Sequence, residues 1–206
     1  MSTQWFRNTT WDEAIERAFE EKLRRARRKE QYLRIQASRL ARAHPKVALK
    51  LLDRYFELPD AFDHAQAHVD RATAFLALGR IDEAIASYEA GLVREAEFPN
   101  LKTYAYLDLP FLIATRGIRE RYKQALQLLQ GHEARLMFPV DRFRWHAARA
   151  LIAAEGHDPS VARSHAERAL EAAALEHSGF RYHPSVGLVG EQHDYVIRKL
   201  EAYRDA

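Results

Sequence analysis

The sequence predicts an all-α fold: a solenoid of antiparallel helix pairs with a C-terminal capping helix. Three observations carry this. First, the segment Ala72–Leu92, A-T-A-F-L-A-L-G-R-I-D-E-A-I-A-S-Y-E-A-G-L, reads as two amphipathic helices joined by a tight turn at Gly79. Second, related pairs lie before and after it at intervals of roughly 35–40 residues, the range that marks stacked repeats. Third, Ala, Leu, Arg and Glu are abundant, glycines and prolines number only eight and seven, and no run shows strand-like alternation. A helix pair of this size cannot bury its apolar face alone, so it must stack on neighbours.

The first helix starts near Thr10, where Thr10 and Glu13 have capping-box spacing. Trp11, Ile15, Phe19 and Leu23 form its apolar stripe. Acids lie near its start and Lys22–Lys29 is basic, a polarity that suits the helix dipole. A break near Lys29 is expected, although one helix running on to Ala43 also fits. The second helix carries Leu33, Ala37 and Leu40 and ends at His44-Pro45. Pro45 then opens a third helix, with Ala48, Leu51, Leu52, Tyr55 and Phe56 inward and Leu58-Pro59-Asp60 as its stop.

The clearest pair covers Phe62–Ala77 and Ile81–Glu95, followed by a break at Phe98-Pro99-Asn100. Another covers Leu101–Thr115 and Tyr122–Arg135. Its turn lies around Gly117, and Pro110 should kink its first helix. A further pair covers Arg142–Glu155 and Pro159–Glu176, with Gly156-His157-Asp158-Pro159 as stop and start. Residues 177–190 are too apolar for a free linker and are expected to form an ordered loop. A terminal helix over 192–203 would close the solenoid with Tyr195, Val196, Leu200 and Tyr203.

Gly79, Ala84, Tyr88 and Leu92, with Ala72 and Phe75 before them, are laid out as in a tetratricopeptide repeat, which residues 66–98 resemble. The neighbouring pairs are degenerate. Ala48, Ala125 and Ala162 take the place of Ala84 at uneven spacings, and Gly91 stands where the family usually has alanine. A compact bundle with one chance match is the alternative. The resemblance implies a right-handed α-α superhelix whose concave groove is lined by the first helix of each pair. Carried across residue by residue, that face includes Arg34, Ala37, Gln66, Asp70, Thr73, Tyr104, Asp108, Phe111, His146 and Ala150. Asp70 and Asp108 there would favour a ligand with a positive group.

The length suits one domain spanning residues 1–206, with enough chain for a sizeable core. There is no cysteine, which excludes disulfides and thiolate metal sites. No window approaches a membrane span, and the N-terminal M-S-T-Q-W-F-R-N lacks the apolar stretch of a secretory signal. A bacterial-type cytoplasmic protein is the expectation. A net charge of +3 is too small to argue for nucleic acid.

Nucleophile elbows, phosphate-binding glycine loops and H-E-x-x-H are all missing. His64 and His68 have i, i+4 spacing but no third ligand. His177, His183 and His193 cluster near the C-terminus and are weak metal candidates. Trp5, Phe6 and Trp11 read as core anchors, Trp145 as buried, and His146 as facing the groove. The expected function is therefore a non-enzymatic module that binds a peptide, helix or loop of a partner protein, with no cofactor. Two alternatives stand beside it: an enzyme or metal-dependent protein using the C-terminal histidine loop, and a nucleic-acid-binding helical repeat.

Overall fold

The computed structural model describes residues 4–59 and 63–205. Two expected boundaries, the stop at Asp60 and the helix start at Phe62, lie outside the described residues. Among the described residues the chain is all-α, with ten α-helices, three short 3-10 turns and no strand. No helix there is long and apolar enough to cross a membrane. Adjacent helices pack in pairs. The chain divides into two compact units, Met1–Ala105 and Tyr106–Ala206.

The first unit holds α1 (Glu13–Arg25), α2 (Lys29–Leu40), α3 (Pro45–Phe56), α4 (His64–Ala77) and α5 (Ile81–Glu97). α2 pairs with α3 and α4 with α5; α3 lies on α4, and α2 also touches α4. Their inward faces supply Phe19, Leu23, Leu33, Leu40, Leu51, Leu52 and Tyr55, with Ala37, Ala48, Ala67 and Ala74 where helices approach closely. Burying each large side chain contributes roughly 1.5–3 kcal/mol.

α1 starts two residues later than the Thr10 reading. Asp12, in extended conformation, is the N-cap, and its carboxylate accepts from Ile15 N at 2.8 Å. A carboxylate is the stronger cap beside a helix N-terminus, and the later start frees Trp11 to lie edge-on to Phe19. The segment before α1 folds back onto α2. Trp5 packs on Phe6, Phe19 and Tyr32 at centroid distances of 4.8–5.5 Å. Beneath it the fully buried Gln36 uses its whole amide on Asn8. Its Oε1 accepts from Asn8 N and Nδ2, and its Nε2 donates to Asn8 O. α1 and α2 are separate, the break falling at Ala26–Arg28.

The turn after α4 is a Schellman motif. Gly79 has φ +72°, its N–H donates to Leu76 O, and Arg80 N donates to Phe75 O. Only glycine takes that left-handed conformation without a Cβ penalty. α5 then crosses α4 closely: a Cβ on Gly91 would stand 3.3 Å from Ala65 O.

The second unit holds α6 (Ala105–Arg116), α7 (Tyr122–Gly131), α8 (Pro139–Glu155), α9 (Pro159–Ala173) and α10 (Asp194–Asp205). α8 and α9 form an intimate hairpin on which α10 packs. α6 runs on through the buried Pro110, which has no N–H to donate to Tyr106 O. Two more Schellman turns follow. One has Gly117 N donating to Ala114 O and Ile118 N to Ile113 O; the other has His157 N donating to Ala154 O and Asp158 N to Ala153 O. In the latter the left-handed residue is His157 at φ +58°, not the preceding Gly156 at φ −81°. The turns at 79, 117 and 157 thus recur at intervals of about 40 residues with the same hydrogen bonds.

Residues 174–190 form a compact loop. The buried Ser178 is its centre: its N–H donates to Pro184 O, its hydroxyl donates to His183 O, and its Oγ accepts from Phe180 N. The loop is tied to the start of α8 by Val140 N donating to Gly187 O and by Phe180 packing on Phe138. Gly187 has φ +68°, and a Cβ there would meet the Phe138 ring at 2.5 Å.

Candidate functional site

The groove residues expected from the sequence fall in both units. In the first, three of them meet. Arg34 projects from α2 toward α4, where its Nη1 donates to Asp70 at 3.3 Å and its Nε to Asp63 at 3.0 Å. Gln66, one turn before Asp70, donates to the other carboxylate oxygen at 3.2 Å. Asp70 itself is only 6% exposed. Burial raises its carboxyl above the usual range, against the pull of Gln66 and Arg34. Thr73 is half-buried and donates from its hydroxyl to Val69 O in its own helix. Tyr104 is exposed, just before α6.

In the second unit Arg144 donates to Asp108 at 2.7 Å, each side chain being about four-fifths buried. The same guanidinium lies over the Phe111 ring at 4.8 Å. Phe111 also meets His193 edge-on at 5.6 Å, and His193 packs on Phe143 at 5.0 Å. His193 is therefore an aromatic-box residue. Burial, then the Arg144 charge, lowers its pKa to about 4.

Both acids expected to attract a cationic ligand are thus answered by arginines within the chain. Each pair links helices 36 residues apart. Arg119 and Glu155 form a third ion pair at that separation, at an exposed position. Sequence reading missed Arg144, although scanning for opposite charges one repeat apart would have found it.

His146 lies on the face of α8 toward α9. Its Nδ1 is 2.9 Å from Nδ1 of His165, and Arg149 Nε donates to His165 Nε2 at 3.1 Å. Trp145 closes the group from below, 4.8 Å from His146 and 5.7 Å from His165, with its indole N–H donating to Leu129 O. Desolvation lowers both imidazoles to about 4, helped by neighbouring positive charge: His165 and then Arg168 and Arg149 at His146, Arg149 and Arg168 at His165. His165 and Arg149 were not singled out from the sequence. His146 and His165 stand almost equally far from the turn at Gly156, so hairpin symmetry brings them face to face.

The C-terminal histidines do not come together. His177 and His183 are exposed on the loop while His193 is buried. Among the described residues no group of three or more histidine, aspartate or glutamate side chains is arranged to hold a metal ion. His64 and His68 instead pack on Phe56, at 5.5 and 4.6 Å. Within the basic run, Arg25 pairs with Glu21 and Arg28 with Glu30.

Compared with known proteins, the chain matches no family model, no curated protein and no solved structure.

Proposed function

We propose that this chain is a non-enzymatic interaction module of tetratricopeptide-like repeats, working in the cytoplasm. In this reading the hairpins within each unit stack right-handedly. The first-helix faces hold a peptide, helix or loop of a partner protein. One observation carries the reading. Arg34–Asp70 and Asp108–Arg144 each join first helices one repeat length apart, as expected where successive hairpins lie side by side.

The internal ion pairs alter what such a face offers. Asp70 and Asp108 are spoken for, so attraction of a cationic ligand gives way to mixed hydrogen bonding and aromatic contact. In the first unit Gln66 and Tyr104 serve, with Arg34 and Asp70 as the frame that holds Gln66 and Thr73 beside them on α4. In the second, His146 serves, held by Trp145 and His165, while Asp108 and Phe111 hold the neighbouring Arg144.

Affinity capture from the source cells, using the whole chain and the variants Gln66→Ala, Tyr104→Ala and His146→Ala, tests this. A partner retained by the parent and weakened by at least one variant, with helical circular dichroism unchanged, is the expected result. Equal retention by all three variants would reject the assigned faces.

A further inference from the structure

Across residues 139–173, which include the α8–α9 hairpin, five arginines are balanced by five acids, but the pairing is incomplete. Among the described residues neither Arg149 nor Arg168 pairs with a carboxylate. Arg149 is nonetheless held in place: its guanidinium lies 4.6 Å over the Trp145 ring and its Nε is engaged by His165. Its terminal nitrogens make no hydrogen bond within the described residues. A guanidinium fixed in this way, with its fork unoccupied, is preorganised for a planar pair of acceptor oxygens.

The imidazoles add a donor. Arginine cannot accept a hydrogen bond, so Arg149 Nε–H must donate to His165 Nε2. The neutral His165 ring therefore carries its proton on Nδ1 and gives it to Nδ1 of His146, 2.9 Å away. His146 in turn carries its own proton on Nε2, directed away from the pair. Everything the cluster turns outward is a donor. Arg168 lies one turn after His165 on the same face of α9, as Arg149 lies one turn after His146 on α8.

We propose that Arg149, Arg168, His146 and His165 form a binding site for a dianionic phosphate group. Two guanidinium groups outside any ion pair match the charge of a phosphomonoester, roughly −1.5 to −2 at neutral pH, where a carboxylate would answer only one. Its oxygens give acceptors for the Arg149 fork, for Arg168 and for His146 Nε2–H. The inference goes beyond the interaction reading and requires only the α8–α9 hairpin.

Isothermal titration of the purified full chain with inorganic phosphate and, separately, with O-phosphoserine at low ionic strength tests it. Saturable one-to-one binding of either is expected. Phosphate alone identifies a free-anion site, and phosphoserine as well identifies a site for phosphoryl groups on larger molecules. Arg168→Gln, at an exposed position, and Arg149→Gln should each weaken binding by about tenfold or more. Arg198→Gln on α10 should leave it unchanged. Nitrogen-15 spectra should show His165 protonated at Nδ1 and His146 at Nε2, both moving toward imidazolium as phosphate is added. Absence of saturable binding, equal binding of acetate, or full affinity in Arg168→Gln would overturn the proposal.

Discussion

Arg34 on α2 grips the buried carboxylate of Asp70 on α4 across 36 residues of chain. Asp108 on α6 and Arg144 on α8 repeat the arrangement with the charges exchanged. Removing one partner of such a pair strands the other in low dielectric, which costs more than the pair itself contributes. Arg34→Ala should therefore destabilise the protein by about 3 kcal/mol, read from the urea midpoint.

Gln36 should matter through the segment it anchors. Gln36→Leu removes all three hydrogen bonds to Asn8. The expected loss is about 2 kcal/mol. Tryptophan emission should shift to the red as Trp5 leaves Phe19 and Tyr32. An unshifted spectrum would mean the aromatic packing holds that segment alone.

His157 occupies a left-handed position that glycine fills in the other two turns of this type. A non-glycine residue there costs roughly 1–2 kcal/mol, part of which glycine returns through unfolded-state entropy. His157→Gly should raise stability by about 0.5–1 kcal/mol. A lower melting temperature would show that the His157 side chain makes a compensating contact.

Acid should weaken the fold. His68, His146, His165 and His193 have native pKa values lowered to about 4, by burial first and nearby positive charge second. The unfolded value is about 6.5. Unfolded chains then bind more protons between these values, so stability is full above about pH 6.5 and falls as pH drops toward 4. Thermal midpoints measured at intervals from pH 7.5 to 4.5 should decline. His193→Phe, which keeps a ring against Phe111 and Phe143, should flatten part of that decline.

The helices were legible in the sequence because most have a 3.6-residue apolar period and a proline or glycine at one end. Pro45, Gly79, Gly117 and Pro159 all mark observed boundaries. The start of α1 differed because Asp12 caps it in place of Thr10, and the start of α8 differed because Pro139 opens it three residues before the expected Arg142. The candidate faces were legible as positions but not as chemistry. Arg34, Gln66 and Asp70 do converge, yet whether Asp70 serves a partner or the fold depends on burial, which local sequence does not carry. His165, Arg149 and Arg144 became visible only once helices were paired across a turn or across a repeat.

Double-mutant cycles on Arg34/Asp70 and Asp108/Arg144, followed by equilibrium unfolding, test most directly whether first helices meet one repeat apart. Coupling of about 1–3 kcal/mol within each pair is predicted. Additivity to within about 0.5 kcal/mol in both cycles would contradict the side-by-side stacking of successive hairpins.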